Sequence, residues 1–206
     1  MNNLKQISTG LILYRDDHNG QLPDWISNLN PKYIPGSNSF KCKSDKTRGT
    51  EGAILATDTA LTGTQYAETD DTESNNHATR NTAIKACSYL YEFCGAVCSW
   101  GWSTYIGDGS VDGAEVDLDG NTASTTWKEV KIYQLRHGDT ANGGASYDET
   151  AFPIVRCFHH HKETMIRVVT NSSGSSIEMP LTLNVAYGGN IFRAGLQWEY
   201  REATGQ

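Results

Sequence analysis

The clearest periodic pattern of hydrophobic and polar positions lies at the start of the chain. Apolar side chains recur there at intervals of three and four residues, namely Leu4, Ile7, Leu11 and Tyr14. This spacing places them on one stripe of an amphipathic helix over residues 1–17. Asn19-Gly20 and Pro23 mark its end, because Gly accepts the left-handed geometry after a helix and Pro cannot continue one. No capping box marks its beginning, which is typical of a helix cut from a longer one.

The remaining hydrophobic segments are typical of strands. The alternation at residues 89, 91 and 93 indicates one strand, and a second strand after Cys98 would complete a hairpin. Three further extended segments are predicted at residues 152–158, 164–170 and 181–192. A turn is expected after the second of these segments and another within the third. The turns are expected at residues 171–176 and at Gly188-Gly189.

The remaining segments are either short or compatible with both helix and strand. Residues 25–29 predict a helical turn, and residues 40–45 and 53–57 predict brief extended pieces. Residues 127–135 fit either a short helix or a strand. One helix followed by a β-rich remainder predicts an α+β fold, in which an N-terminal amphipathic helix packs on an antiparallel β-sheet with long loops.

The length of 206 residues suits a single domain with a real core. Only 37% of the residues are hydrophobic and 20 are Gly, so long loops are expected. We predict one domain over residues 1–206, divided into the helix at 1–17, a mixed loop region at 18–85 and a β-rich region at 86–206. The last region includes an acidic, glycine-rich loop at residues 108–121.

Charge and hydropathy exclude two classes of partner. The formal net charge is -7 and no stripe of Lys and Arg is present, so nucleic acid is not an expected partner. The longest apolar run near the start, residues 11–14, is far below the about 20 residues that cross a bilayer. The sequence as given therefore predicts neither a membrane span nor a signal peptide.

The five cysteines favour disulfides over a metal site, because no C-x-x-C spacing is present. An odd count in a loop-rich acidic chain favours an oxidising compartment, although a reduced cytosolic set is the alternative. Cys94 and Cys98 flank a short turn, and Cys42 and Cys157 adjoin segments expected to enter the sheet. We predict the bridges Cys94–Cys98 and Cys42–Cys157, which leaves Cys87 free.

The acidic loop is a candidate calcium site. Its closely spaced carboxylates suit a hard cation and are Asp108, Asp112, Asp117 and Asp119. The EF-hand pattern is not reproduced in register. A solvated turn is the alternative interpretation.

Two further features suggest other functions. His159 and His161 would share one face of a strand, so a metal-dependent hydrolase that uses them and a loop carboxylate is a distant alternative. No G-x-S-x-G elbow or other enzyme signature is present, and we predict no enzyme. Trp100 and Trp102 also share a face, either as core residues or as a platform for a carbohydrate-binding or adhesive module.

Several segments together resemble prepilin-type proteins, the type IV pilins and type II secretion pseudopilins, of the planctomycete and verrucomicrobial kind. They begin with Asn3-Leu4-Lys5-Gln6-Ile7 and Asn19-Gly20-Gln21-Leu22-Pro23. Phe40-Lys41-Cys42-Lys43-Ser44-Asp45 is similar to a family Phe-x-Cys-Pro-Ser-Asp segment, with Lys43 in place of the usual Pro. Ser88-Tyr89-Leu90-Tyr91-Glu92 follows. Near the end, residues 153–160 resemble a His-containing strand, and residues 183–191 resemble a hairpin that often carries Asp-Gly where this chain has Gly188-Gly189.

The resemblance implies a filament subunit. Its helix would continue from a membrane-anchored segment before residue 1, which is absent here, and a β-sheet would pack on the half that remains. The implied partners are other pilin or pseudopilin subunits and secretion-system components. The implied location is the periplasm or the cell surface, with an inner-membrane anchor before assembly. Because some major pseudopilins carry a calcium site in a C-terminal loop, the resemblance also favours calcium as a ligand of the acidic loop.

Overall fold

A computed structural model describes residues 2–53, 71, 78–98, 116–121, 124–139, 143–160, 166–170 and 176–195. These residues contain the α-helices α1 (Asn2–Asp17) and α2 (Trp127–His137), and 3₁₀ helices at Ile26–Leu29 and Ser37–Phe40. Their strands are β1 (Leu90–Tyr91), β2 (Pro153–Cys157), β3 (Ile166–Thr170), β4 (Ser176–Ala186) and β5 (Ile191–Gly195). The class is α+β, as predicted from the sequence.

Helix α1 buries the predicted stripe. Leu4, Ile7 and Leu11 are buried, and Tyr14 packs partly buried against the same hydrophobic cluster. The helix ends where Asn19 and Gly20 adopt left-handed backbone angles, with φ of 53° and 83°. The Gly20 amide then donates to the Arg15 carbonyl at 2.8 Å, which caps the last turn.

Contacts with the turn after β4 hold α1 on the sheet. The Ser8 hydroxyl donates to the Gly189 carbonyl, and Nη1 of Arg15 donates to the Tyr187 carbonyl at 2.9 Å. The Arg15 guanidinium also lies 4.2 Å from the centroid of the Tyr187 ring. Since α1 contacts β4 and both 3₁₀ helices as well, it joins the N-terminal segments to the sheet.

The sheet is antiparallel and is organised around the long strand β4. The strand order is β1-β2-β4-β3, and β5 pairs with β4 off this path. The first half of β4 pairs with β3, with Ile166 opposite Pro180. Its second half pairs with β2 and with β5. The turn between β4 and β5 contains Gly188-Gly189, as the sequence predicts. Most of the turn predicted at residues 171–176 lies outside the described residues.

Two predicted extended segments differ from the structure. Tyr89, Tyr91 and Phe93 are all buried in the hydrophobic cluster, but β1 covers only Leu90–Tyr91. The ring of Phe93 packs against Phe152 and Tyr187 instead of extending the ladder. Residues 40–45 form no strand: Phe40 ends the second 3₁₀ helix, and residues 41–45 continue into a turn. Most of the segment predicted at 53–57 and the strand predicted after Cys98 lie outside the described residues.

Residues 127–135 belong to a helix, which settles the choice that the sequence left open. Thr126 and Glu129 form a capping box at the start of α2: the Thr126 amide donates to Oε2 of Glu129 at 2.7 Å. Lys131 is buried beside Glu92, at 3.6 Å, and Glu92 also accepts a hydrogen bond from Arg156 of β2 at 3.2 Å. These buried charges connect α2 to the sheet.

Buried hydrophobic residues from α1, α2, both 3₁₀ helices and the sheet form one cluster. Among the described residues, no helix combines the length and the apolar character that a bilayer crossing requires.

A charged substitution on the buried face of α1 should destabilise the protein much more than the same substitution on its exposed face. Leu11→Asp places a charge in the core and is expected to lower the free energy of unfolding by about 3 kcal/mol or more. Leu13→Asp is the control, because Leu13 is 47% exposed, and it should change this free energy by less than about 1 kcal/mol. Urea unfolding monitored by circular dichroism measures both. Equal stability of the two variants would contradict the packing of α1 described above.

Candidate thiol and histidine site

Two cysteines and a histidine from distant parts of the chain meet at one end of β2. Cys42 follows the second 3₁₀ helix, Cys157 is the last residue of β2, and His160 follows three residues later. One ligand atom from each, the two Sγ atoms and a ring nitrogen, lies within 4.8 Å of the others. Cys42 and Cys157 are buried, and His160 is partly exposed, so solvent reaches the cluster from the histidine side.

His160 lies between a thiol and a hydroxyl. Its Nε2 is 3.4 Å from Sγ of Cys42, and its Nδ1 is 3.3 Å from Oγ of Ser44. One ring nitrogen is therefore directed to sulfur, while the other has an oxygen partner that fixes the plane of the imidazole.

A buried carboxylate positions the turn that carries Cys42. Oδ1 of Asp45 accepts hydrogen bonds from the amide and hydroxyl of Thr47, at 2.9 and 2.8 Å. Its Oδ2 accepts from the amide of Gly49 at 2.6 Å and from the hydroxyl of Ser88 at 2.7 Å. The Ser88 oxygen in turn accepts from the amide of Cys42 at 2.9 Å, so the carboxylate and the thiol belong to one hydrogen-bonded unit.

Gly49 closes this turn for a steric reason. Its φ is +81°, and a Cβ placed on it would lie 2.8 Å from backbone atoms of Cys87. The approach permits a hydrogen bond from the Cys87 amide to the Gly49 carbonyl at 3.0 Å. A larger residue would push the turn away from the segment that carries Ser88.

The surroundings polarise the two thiols in opposite directions. A hydrogen bond from Cys157 outweighs burial and lowers the pKa of Cys42 to about 5, with help from the Ser44 backbone and the nearby histidines. The same hydrogen bond, together with burial, raises the pKa of Cys157 well above its usual value. The pair therefore favours a thiolate at Cys42 that accepts a hydrogen bond from a thiol at Cys157. A thiolate is the form of cysteine that binds metals and acts as a nucleophile.

The predicted disulfides are not formed in the structure, where all five cysteines are buried and none takes part in a disulfide: Cys42, Cys87, Cys94, Cys98 and Cys157. The sequence favours disulfides over a metal site for these cysteines, whereas the structure brings Cys42 and Cys157 together with a further potential ligand, His160. Spacing rules did not find this cluster, since Cys42 and His160 are 118 residues apart in the chain. One feature of the sequence does point to the cluster: a Phe-x-Cys segment and a Cys-Phe-His-His segment both adjoin the predicted sheet.

Of the two histidines in the metal-dependent hydrolase hypothesis, the structure describes only His159, which lies beside the buried carboxylate of Asp45. Nε2 of His159 lies 3.5 Å from Oδ2 of Asp45, and its side chain is only 6% exposed. Burial raises the pKa of Asp45, but hydrogen bonds from Ser88 and Thr47 and the adjacent His159 hold it below its usual value. His161 lies outside the described residues. The histidine that meets the cysteines is His160, which the hydrolase hypothesis did not include.

The described part of the acidic loop brings three carboxylates together. Oxygen atoms of Asp117, Asp119 and Glu129 lie within 4.8 Å of one another. Oδ1 of Asp117 accepts from the amides of Asp119, Gly120 and Asn121, at 3.0, 2.8 and 3.1 Å. Desolvation is the largest single influence on Asp117 and raises its pKa, but the hydrogen bonds from residues 119–121 together outweigh it and lower the pKa below its usual value. Glu129 joins the predicted pair, while Asp108 and Asp112 lie outside the described residues. Calcium binding here stays a prediction.

The proposed aromatic platform also lies outside the described residues, because Trp100 and Trp102 are not among them. Trp25 and Trp127 are buried in the core.

Comparison with known proteins gives no assignment. No family model matches the chain, and searches of curated proteins and of solved structures find no significant match.

A calcium titration tests the acidic loop. Calcium at millimolar concentration is expected to raise the melting temperature, because an ion that binds only the folded state stabilises it. Asp119→Asn should remove most of this shift, since the amide oxygen can still accept from the Asn121 amide, as Oδ1 of Asp119 does at 2.8 Å, but carries no charge. Magnesium serves as the ion control. A melting temperature that does not change with calcium would contradict the calcium prediction.

Proposed function

We propose that the chain is the globular part of a pilin-like filament subunit, with a structural rather than a catalytic role. The observation that carries this proposal is that α1 has two apolar surfaces. One is the buried stripe that holds the helix on the domain, and the other consists of the adjacent exposed residues Ile12 and Leu13.

The exposed surface is unusual for this domain. Only four large hydrophobic residues in the described part of the chain are exposed, and Ile12 and Leu13 are two of them, at 42% and 47%. Neighbouring apolar side chains exposed on one helix favour packing against another protein surface. In a filament of the proposed kind, that surface is the corresponding helix of a neighbouring subunit.

Contacts between segments that carry the family resemblance also support the proposal. The segment Phe40–Asp45 meets the histidine-containing end of β2 through Cys42 and Asp45, and the Ser88 hydroxyl bonds to both. The hairpin turn at Gly188-Gly189 meets α1 through Ser8. Segments that resemble one family thus form one contiguous unit. Lys43, which replaces the usual Pro, is exposed and leaves this unit intact.

The proposal includes partners and a location. The partners are further pilin or pseudopilin subunits and components of a secretion system. The location is the periplasm or cell surface, where an anchor segment joined to the start of α1 would hold the subunit in the inner membrane before assembly.

Photo-crosslinking in cells that make the full-length gene product tests this function. A photoreactive amino acid at Ile12 or Leu13 should give a ladder of covalent oligomers. The same amino acid at Thr50, an exposed turn residue outside α1, is the control and should give at least about tenfold less. That difference is expected because apolar contacts concentrate at the interface core.

A charge variant supplies the second readout. The double variant Ile12→Asp, Leu13→Asp should fold with nearly the parent melting temperature but form no oligomers. Monomers alone from positions 12 and 13 of the folded protein, or equal crosslinking at Thr50, would contradict the filament function.

A further inference from the structure

We propose that Cys42, Cys157 and His160 bind a zinc ion when both cysteines are reduced. This inference does not depend on the filament function. It is carried by the convergence of two sulfur atoms and one ring nitrogen within 4.8 Å of one another.

The separations suit a tetrahedral ion. With zinc–sulfur and zinc–nitrogen bonds of about 2.3 and 2.05 Å, tetrahedral angles place sulfur and nitrogen about 3.6 Å apart and two sulfurs about 3.8 Å apart. Sγ of Cys42 and Nε2 of His160 are 3.4 Å apart. An ion therefore enters with only small side-chain movements, rather than by rearrangement of the turn or of β2.

The surroundings of the three side chains are those of an oriented site. Ser44 contacts Nδ1 of His160 and leaves Nε2 directed toward sulfur, as the second partner of a metal-bound histidine commonly does. The Ser88 hydroxyl fixes the backbone of Cys42 and is itself fixed by Asp45. Cys157 is fixed by its place in β2, where it lies opposite Leu183 of β4.

The donor set selects the class of metal. Zinc binding replaces the S–H bond of Cys157 by a zinc–sulfur bond and releases that proton to solvent. The resulting two thiolates and imidazole are soft to borderline ligands, which favour zinc over calcium or magnesium. Three protein ligands leave a fourth position for water or an added ligand. His160 is partly exposed, which gives the ion a path from solvent.

The Cys42–Cys157 disulfide predicted from the sequence competes with this site. A disulfide consumes both sulfur ligands, so the bridge and the zinc ion exclude each other at any one time. Zinc should therefore protect this pair from oxidation.

Metal loading of the reduced protein tests the proposal. The chain is reduced and freed of metal, mixed with an equal amount of zinc chloride and desalted, and its bound zinc is measured. The parent protein should retain an equimolar amount of zinc. Cys42→Ser and Cys157→Ser should retain none, and His160→Gln should bind at least about tenfold more weakly. Cys98→Ser removes a buried thiol outside the cluster and should bind like the parent.

Two further readouts separate a lost site from a lost fold. Circular dichroism of the metal-free variants reports folding, and the partly exposed His160→Gln variant should keep the parent spectrum. Cobalt in place of zinc should give a thiolate charge-transfer absorption in the parent and in Cys98→Ser, a weaker one in His160→Gln at the same cobalt concentration, and none in the two cysteine variants. Zinc should also slow formation of a Cys42–Cys157 bridge in air, followed by mass spectrometry. The proposal is overturned if the folded, reduced parent retains no zinc, if both cysteine variants retain it, or if the bridge forms equally fast with zinc present.

Discussion

The buried carboxylate of Asp45 is the interaction on which the arrangement around the candidate site depends. It is 1% exposed, and it accepts hydrogen bonds from Thr47, Gly49 and Ser88 while His159 lies beside it. A buried charge is tolerated only when such partners surround it, because an unsatisfied one costs several kcal/mol, on the order of 3–5. The turn after the second 3₁₀ helix, the segment before β1 and the end of β2 must therefore keep their relative positions together.

This constraint links the N-terminal region to the sheet at one point, and contacts of α1 with the turn after β4 link them at a second. The first link presents Cys42 to Cys157 and His160. The second leaves Ile12 and Leu13 exposed, next to the buried stripe in the sequence of α1. The proposed zinc site and the proposed filament surface thus depend on two different links between the N-terminal region and the sheet. Evidence against one proposal therefore does not count against the other.

The sequence predicts the elements whose signals are local. The three- and four-residue spacing with Asn19-Gly20 defines α1, and Gly188-Gly189 defines the turn between β4 and β5. The sequence does not decide between helix and strand for α2, because its buried Lys131 and Gln134 interrupt the apolar stripe, although Thr126 and Glu129 carry a capping-box signal. The sequence predicts the candidate site only in part. It brings Cys42 and Cys157 together as a disulfide, but their meeting with His160 depends on tertiary contacts that no short spacing encodes.

The most direct test of the account is the free energy of unfolding of Asp45→Asn in reducing, metal-free buffer. The matched control is Asp148→Asn, because Oδ1 of Asp148 accepts from the amide and hydroxyl of Thr150, both at 2.8 Å, in the same Asp-x-Thr turn but on the surface. The account predicts a loss of about 2 kcal/mol or more for Asp45→Asn, since its new NH₂ group meets donors already directed at that position. The control should lose less than about 0.5 kcal/mol. Equal, small losses in the two variants would contradict the central role given to Asp45.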